Sequence, residues 1–491
     1  MLSFLSISSA FGFNPIYTYK GEGNAYRSML GGVTAKNGDT YYVSYPPFAF
    51  IYLYYTSQLF GGPSVFSTRM AALSIHLISA ILLFYLIGAI RSKSENNTFN
   101  FAGVIAAGFY IFAQGNLWFH GNLYFSDMVV QPLFIAGILL TIKYIKGNYT
   151  NEKIILLLFF LIFFLAAYTE WLGLFSAFFT GLIFLVLALL KKKKKWLRPF
   201  FAIALGSSLA LGLTIYQYSS IYSWEVLKAT SEIKYNERSG LGEYNETEAK
   251  FSLHDSESFD ILTNHFNHHY ASLVQFFVFC FATFILFLIL RQTKWYLNKK
   301  PIKHKRILLV LILMVLPILT HYLLFYNFNT MHYFSGLKSA SFVIVLSGIF
   351  ISVSTSISAS INRYVTWGLI TFLSVLFSIK ANKAIDRYLT GNKIEQIDYD
   401  RIASAKIIAK YGKPNLAIFT NTRLSPEQVY YAHHNVYPIK DNDTLAIVSL
   451  MKTYQNNTGQ YYHHHKSKLL YLVTFELNKD KLLFLDTLVF N

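Results

Sequence analysis

The chain has 491 residues, of which 54% are hydrophobic and only 14% charged, with 45 Phe and 36 Tyr. A soluble domain needs a hydrated, charged surface, so this composition excludes an ordinary water-soluble protein and predicts a polytopic membrane protein. The formal charge of +18 does not argue for nucleic acid, because Lys and Arg collect in the cytoplasmic loops of such chains. The single cysteine, Cys280, excludes an intramolecular disulfide framework.

Residues 1–14, MLSFLSISSAFGFN, are apolar but too short to cross a bilayer, and they contain no basic n-region. They read as the remnant of a first helix that begins upstream. A first outer loop then extends to residue 66. In it, YKGEGNAYRSML sets Glu22 between two glycines with Arg27 close behind. TYYVSYPPFAFIYLYY, which contains Tyr45, has the Tyr-rich composition and Pro-Pro break of a helix lying in the membrane interface.

A spanning helix needs about 20 apolar residues. Ten spans follow on that measure, at 67–90, 101–119, 122–143, 153–169, 171–190, 197–218, 270–290, 306–325, 333–355 and 364–380, and the remnant would make an eleventh. Every second connector is basic: Arg91 and Lys93; Lys143, Lys146 and Lys153; Lys191–Lys195 with Arg198; the stretch from Arg291 to Arg306; and Arg363. The positive-inside rule places these in the cytoplasm. The turn near His120, YTEWLG, the loop 219–269 and YNFNTMHYF then face outward. Loop 219–269, rich in Glu, Ser and Asn, reads either as a disordered segment or as a mobile lid that orders over bound substrate.

Past residue 380 a small soluble domain begins, outside on the same count. DYDRIASAKIIAKYG keeps Ile402, Ala405, Ile408 and Ala409 on one helical face, and NLAIFTN, TLAIVSLM and LLYLVTFEL are apolar runs of strand length. The predicted fold class is an all-α polytopic membrane protein of ten or eleven helices with a small C-terminal extracytoplasmic α/β domain. Its divisions are 1–66, 67–380 and 381–491.

Asp127, in YFSDMVVQPLF, opens an apolar span. An ionisable group at the centre of a span costs about 2.5–3.5 kcal/mol and marks function by default. Near the outer end the cost is smaller, and FSDM also offers Ser126 and Asp127 as a helix cap. The same outward side gathers Glu170 in YTEWLG, His269 in NHFNHHY, and His332 and Lys338 in NTMHYFSGLK. Glu170 reads either as lining a cavity or as a turn residue exposed to water. His265, His268 and His269 have the i, i+3, i+4 spacing of a divalent-cation site, and equally that of an interfacial helix against headgroups or an acceptor. The run His463, His464 and His465 would point in different directions on a strand and makes a poorer metal set.

Taken in order, the first-loop acid Glu22, the YPPF segment, the span opening with YFSD and the later outer His332-to-Lys338 segment resemble the polyprenyl-phosphate-dependent glycosyltransferases of the GT-C fold. That superfamily includes the protein O-mannosyltransferases and the aminoarabinose transferases that modify lipid A. The resemblance covers residues 15–345 in order and sidedness. It implies transfer of a sugar from a polyprenyl-phosphate-linked donor to a protein, lipid or glycan acceptor, outside the plasma membrane and with inversion. It implies Glu22 and Asp127 as the catalytic carboxylates, with Arg27, His332 and Lys338 available to the departing phosphate. Tyr45, Glu170 and His269 are further substrate-binding candidates. Many relatives carry two consecutive acids in the first loop, whereas here Gly21 precedes Glu22. The resemblance names no certain cofactor and leaves a divalent cation open. The rival readings are a transporter or flippase for a lipid-linked saccharide, a ligase moving whole oligosaccharides, and a non-catalytic relative using its C-terminal domain.

Overall fold

The computed structural model describes residues 45–62, 65–90, 100–122, 124–219, 223–241, 256–292 and 304–391, together with six strands and a few helical residues between 403 and 410. The strands β1 (Gly32–Thr34) and β2 (Thr40–Tyr42) pair antiparallel. Helix α1 (Phe48–Leu59) follows the Pro-Pro break with Pro47 at its N-cap. The first N–H groups of a helix have no intrahelical partner, so the proline's missing N–H costs nothing there.

Thirteen further helices follow: α2 (Val65–Ile90), α3 (Phe101–Phe112), α4 (Gln114–Asn122), α5 (Ser126–Lys146), α6 (Glu152–Ala167), α7 (Trp171–Lys191), α8 (Leu197–Ser219), α9 (Trp224–Ser239), α10 (Ser256–Gln292), α11 (His304–Leu324), α12 (Tyr326–Met331), α13 (Gly336–Ile361) and α14 (Arg363–Gly391). Their ends are set locally. Asn100 caps α3 by accepting from the Gly103 N–H, and Asn151 caps α6 in the same way. Gly147, at φ 67°, ends α5 in the left-handed conformation that costs a glycine least.

Among the described residues, eight helices are long and apolar enough to cross a membrane, and the pair α3/α4, bent by 53°, makes a ninth if taken as one broken span. The sequence count of ten differs at α6, whose 16 residues reach only about 24 Å, short of a hydrocarbon core of about 30 Å. The predicted loop 219–269 is largely helical where described, holding α9 and the start of α10. Helix α10 has a non-helical residue at Tyr270 (φ −127°, ψ 16°), where the predicted apolar span begins. Their polar composition, with no long apolar run, gave these helices the look of a loop.

The chain divides into two compact units, one of residues 69–215 and 229–391 and the other of 1–68, 216–228 and 392–491. In the second, β3 (Ala417–Thr420), β4 (Val436–Pro438), β5 (Leu470–Asn478) and β6 (Lys481–Phe490) form a mixed sheet in the order β4-β3-β5-β6. β3 is parallel to both β4 and β5, and β5 is antiparallel to β6 with a register shift between Thr474 and Phe475. NLAIFTN and LLYLVTFEL are thus strands, TLAIVSLM lies outside the described residues, and residues 403–404, 406–407 and 410 are helical where a helix was predicted.

In the first unit, α5, α7 and α11 pack against one another, α13 packs against α5 and α11, α10 lies along α13, and α6 closes against α5 and α7. One end is filled by an apolar cluster of Tyr144, Phe159, Phe163, Phe184, Trp196 and their neighbours. The α6–α7 hairpin is tight: a Cβ on Gly173 would sit 2.0 Å from the carbonyl oxygen of Ala166, so only glycine admits the approach.

Candidate functional site

Four of these helices carry polar residues at one end and basic residues at the other. Asp127 opens α5, whose last turn holds Lys143 and Lys146. Glu170 is the N-cap of α7, whose last turn holds Lys191. His321 closes α11, which starts at His304, Lys305 and Arg306. Lys338 is in the first turn of α13, which is followed by Arg363. At 1.5 Å per residue the two ends of α5 are about 30 Å apart, roughly the thickness of a hydrocarbon core.

The polar ends meet inside the bundle. The Lys338 ammonium lies 2.8 Å from Oδ1 of Asp127, with side-chain exposures of 0% and 2%. It also lies 3.4 Å from Nδ1 of His321 and 3.5 Å from Oδ1 of Asn329, so three acceptor atoms surround an ammonium that has three hydrogens. Nδ2 of Asn329 donates to the carbonyls of Phe325 (2.8 Å) and His321 (3.0 Å), which fixes the orientation of the amide. With Lys338 and the Asn329 amide turned toward Nδ1, that nitrogen presents its lone pair, and the proton sits on Nε2, 2.8 Å from Oε1 of Glu170. The other oxygen of Glu170 accepts from the Leu172 N–H at 2.8 Å. Burial alone would raise the Glu170 pKa, but His321 and Lys338 outweigh it and hold the carboxyl down at about 2. Asp127 thus meets the ammonium directly, and Glu170 faces it across the His321 imidazole.

Around this core, Ser341 donates to Gln131 at 3.0 Å, and Ser335 donates to the Asn329 carbonyl at 2.9 Å. His332 is in the field of Asp127, Arg238 and Lys338; burial lowers its pKa, with Asp127 opposing. Its ring stacks on Phe334 and meets Phe328, over which the Arg238 guanidinium lies at 5.5 Å. Asn327 ties α12 to α9 by donating to the Glu237 carbonyl at 2.8 Å.

Four of the sequence-predicted residues, Asp127, Glu170, His332 and Lys338, therefore lie together. Two readings change. Asp127 does not cap its helix: Phe125 is the N-cap, no side chain caps it, and the carboxylate turns inward to Lys338. Glu170 is not a water-exposed turn residue, being buried where α11 returns beside it. Lys338, expected at the donor phosphate, is held by Asp127. Glu22 and Arg27 lie outside the described residues. Tyr45 belongs to the other unit, where its carbonyl accepts from the Tyr218 hydroxyl at 2.5 Å. His269 packs against Phe119 and His268, and no group of three His, Cys, Asp or Glu is arranged to hold a metal among the described residues. The sequence reading missed His321 and Asn329. His321 carried one usable signal, an ionisable side chain inside an apolar run.

No protein-family profile matches the chain, and no curated protein matches it by sequence. By fold it is similar to ArnT from Cupriavidus metallidurans bound to undecaprenyl phosphate, with a TM-score of 0.55 and 12% identity over 96% of this chain and 91% of that one. It is also similar to the apo state of the same ArnT, with a TM-score of 0.50 and 12% identity over 96% and 90%. A weaker likeness, TM-score 0.47 and 10% identity over 96% of this chain and 65% of the other, is to the archaeal oligosaccharyltransferase AglB from Archaeoglobus fulgidus in complex with an inhibitory peptide and a dolichol-phosphate. The architecture expected from the sequence resemblance thus holds: this is a multi-pass membrane protein with the GT-C fold.

Proposed function

We propose that the protein is an integral membrane glycosyltransferase that moves a sugar from a polyprenyl-phosphate donor to an acceptor outside the cytoplasm, with inversion. The observation that carries this reading is the buried Asp127–Lys338 pair beside Glu170 and His321, set in a fold shared with a structure bound to undecaprenyl phosphate. Displacement at an anomeric carbon needs a group to take the acceptor proton and cations to meet the leaving phosphate. Asp127 and the first-loop Glu22 are the carboxylates proposed for the first task. For the second, an arriving phosphate would compete with Asp127 for Lys338, with Arg27, Arg238 and His332 alongside. The proposed outer location is supported by the basic helix ends lying about 30 Å from this cluster, because basic ends favour the cytoplasm. Tyr45 and His269 are proposed substrate contacts, and the protein, lipid or glycan nature of the acceptor is for experiment to name.

A flippase reading has one observation of its own, the broken span α3/α4. A transporter would require a matching break in a second repeat, and this bent pair is the single such case among the described residues.

The test is transfer of radiolabelled sugar from polyprenyl-phosphate donors into envelope fractions by wild type, Glu22→Gln and Asp127→Asn at matched membrane levels. The expected result is a loss of at least about 100-fold in both variants. Undiminished transfer by Asp127→Asn would remove that residue from the chemistry, and no transfer by wild type with any donor would favour the flippase.

A further inference from the structure

At the edge of the buried cluster stand three nearly parallel rings. Phe125 stacks on Phe334 with centroids 4.6 Å apart and 13° between planes, and Phe334 stacks on His332 at 5.0 Å and 18°. The rings come from the extended residue before α5 and from the short segment between α12 and α13, more than 200 positions apart in the chain. Phe125 ends the stack and is 38% exposed, although it is only two residues from the enclosed Asp127.

This arrangement differs from that of exposed phenylalanines such as Phe178 and Phe201. Both stand on helix flanks and meet their own chain neighbours edge-on, as side chains facing lipid tails would. The Phe125 stack is held from behind by Phe328, whose ring meets both His332 and Phe334, and the Asp127 carboxylate and the Arg238 guanidinium lie at its His332 margin. An aromatic face carries partial negative charge, and the C–H groups on one side of a sugar ring are partially positive. Flat rings flanked by groups that hydrogen-bond hydroxyls therefore suit a saccharide better than a hydrocarbon chain.

We propose that the Phe125–Phe334–His332 stack is a platform that seats a saccharide ring beside Asp127. The proposal rests on the glycosyltransferase reading above and adds the residues that recognise the sugar. The ring is that of the donor or of a glycan acceptor, and the test separates the two.

Wild type, Phe125→Leu and Phe125→Trp would be placed in nanodiscs and titrated with decaprenyl phosphate, with its mannosyl and arabinosyl esters, and with free mannose oligosaccharides. Thermal midpoints would confirm equal folding. A donor-sugar platform predicts that Phe125→Leu weakens binding of at least one sugar ester about 3–10-fold, leaves bare decaprenyl phosphate unchanged, and is rescued by Phe125→Trp, whose indole fluorescence shifts with the ester. An acceptor platform predicts unchanged lipid binding, weaker oligosaccharide binding by Phe125→Leu, and a fluorescence response to the free glycan. Equal losses for bare and esterified lipid, or no change with any ligand, would overturn the proposal. Failure of wild type to bind either lipid would sink the lipid-donor reading instead, and the free-glycan arm would still decide the platform.

Discussion

The two ends of the same helix bundle handle charge in opposite ways. At the basic end, Arg198 reaches Glu152 at 2.5 Å with side-chain exposures of 60% and 29%, and Lys191 and Lys195 lie over the Trp196 ring at 4.8 and 5.0 Å. These cations keep contact with solvent while their stems cover aromatic surface. At the other end, Asp127, Glu170 and Lys338 are withdrawn from solvent altogether. An exposed pair adds little stability, and a buried one loses much of its Coulombic gain to desolvation. The basic end is what orienting a membrane protein requires. The polar end is retained at an energetic disadvantage, which is expected where ionised groups are needed for chemistry.

The sharpest way to break this contrast is to remove one partner from the buried pair. Lys338→Met leaves the Asp127 carboxylate enclosed without its ammonium and should destabilise the protein by about 3–5 kcal/mol, read as the thermal midpoint of the purified protein in detergent. Lys338→Met/Asp127→Leu removes both charges and should recover most of that loss without recovering transfer. A single variant within about 1 kcal/mol of wild type would mean that the pair is not enclosed as described.

Glu170 gives an intermediate effect with a pH signature. Its carboxyl is held at about 2 by His321 and Lys338, against an ordinary value of 4.5. A lowered folded pKa favours the native state above the unfolded value, and that contribution disappears as pH falls from about 4.5 towards 2. Glu170→Gln should therefore be destabilised by about 1–3 kcal/mol at pH 7. Its deficit relative to wild type should stay constant down to about pH 5 and narrow below that. A deficit that widens on acidification would contradict the ionised state of Glu170.

What could be read in advance follows the range of the forces involved. The spans, their order and the strands LLYLVTFEL and NLAIFTN were legible because apolar length and strand-length apolar runs are local. The site was half legible. Asp127 and Lys338 stood out as ionisable groups at span ends, but they are 211 positions apart, so their pairing depends on α5 and α13 packing together. Glu170 read as a turn residue because YTEWLG looks like a hairpin tip, and only the return of α11 encloses it. His321 sits among leucines with nothing periodic to mark it, and Asn329 is a loop-like residue whose place depends on two carbonyls of a neighbouring helix end.

The smallest expected effect belongs to the exposed pair, and it serves as the control on the whole contrast. Glu152 is contacted by two groups, the Arg198 guanidinium and the Tyr144 hydroxyl at 2.9 Å, and Tyr144 also lies 3.0 Å from the Lys195 carbonyl. Arg198→Gln removes only the solvated partner and leaves the hydroxyl in place. It should cost less than about 1 kcal/mol, and less still at 0.5 M salt, where roughly 4 Å of screening length remains. Sugar transfer should be unchanged because the bundle length separates the two ends. If Arg198→Gln proved as damaging as Lys338→Met, burial would not be what distinguishes the ends, and the reading of the polar end as chemistry held at a structural disadvantage would lose its physical basis.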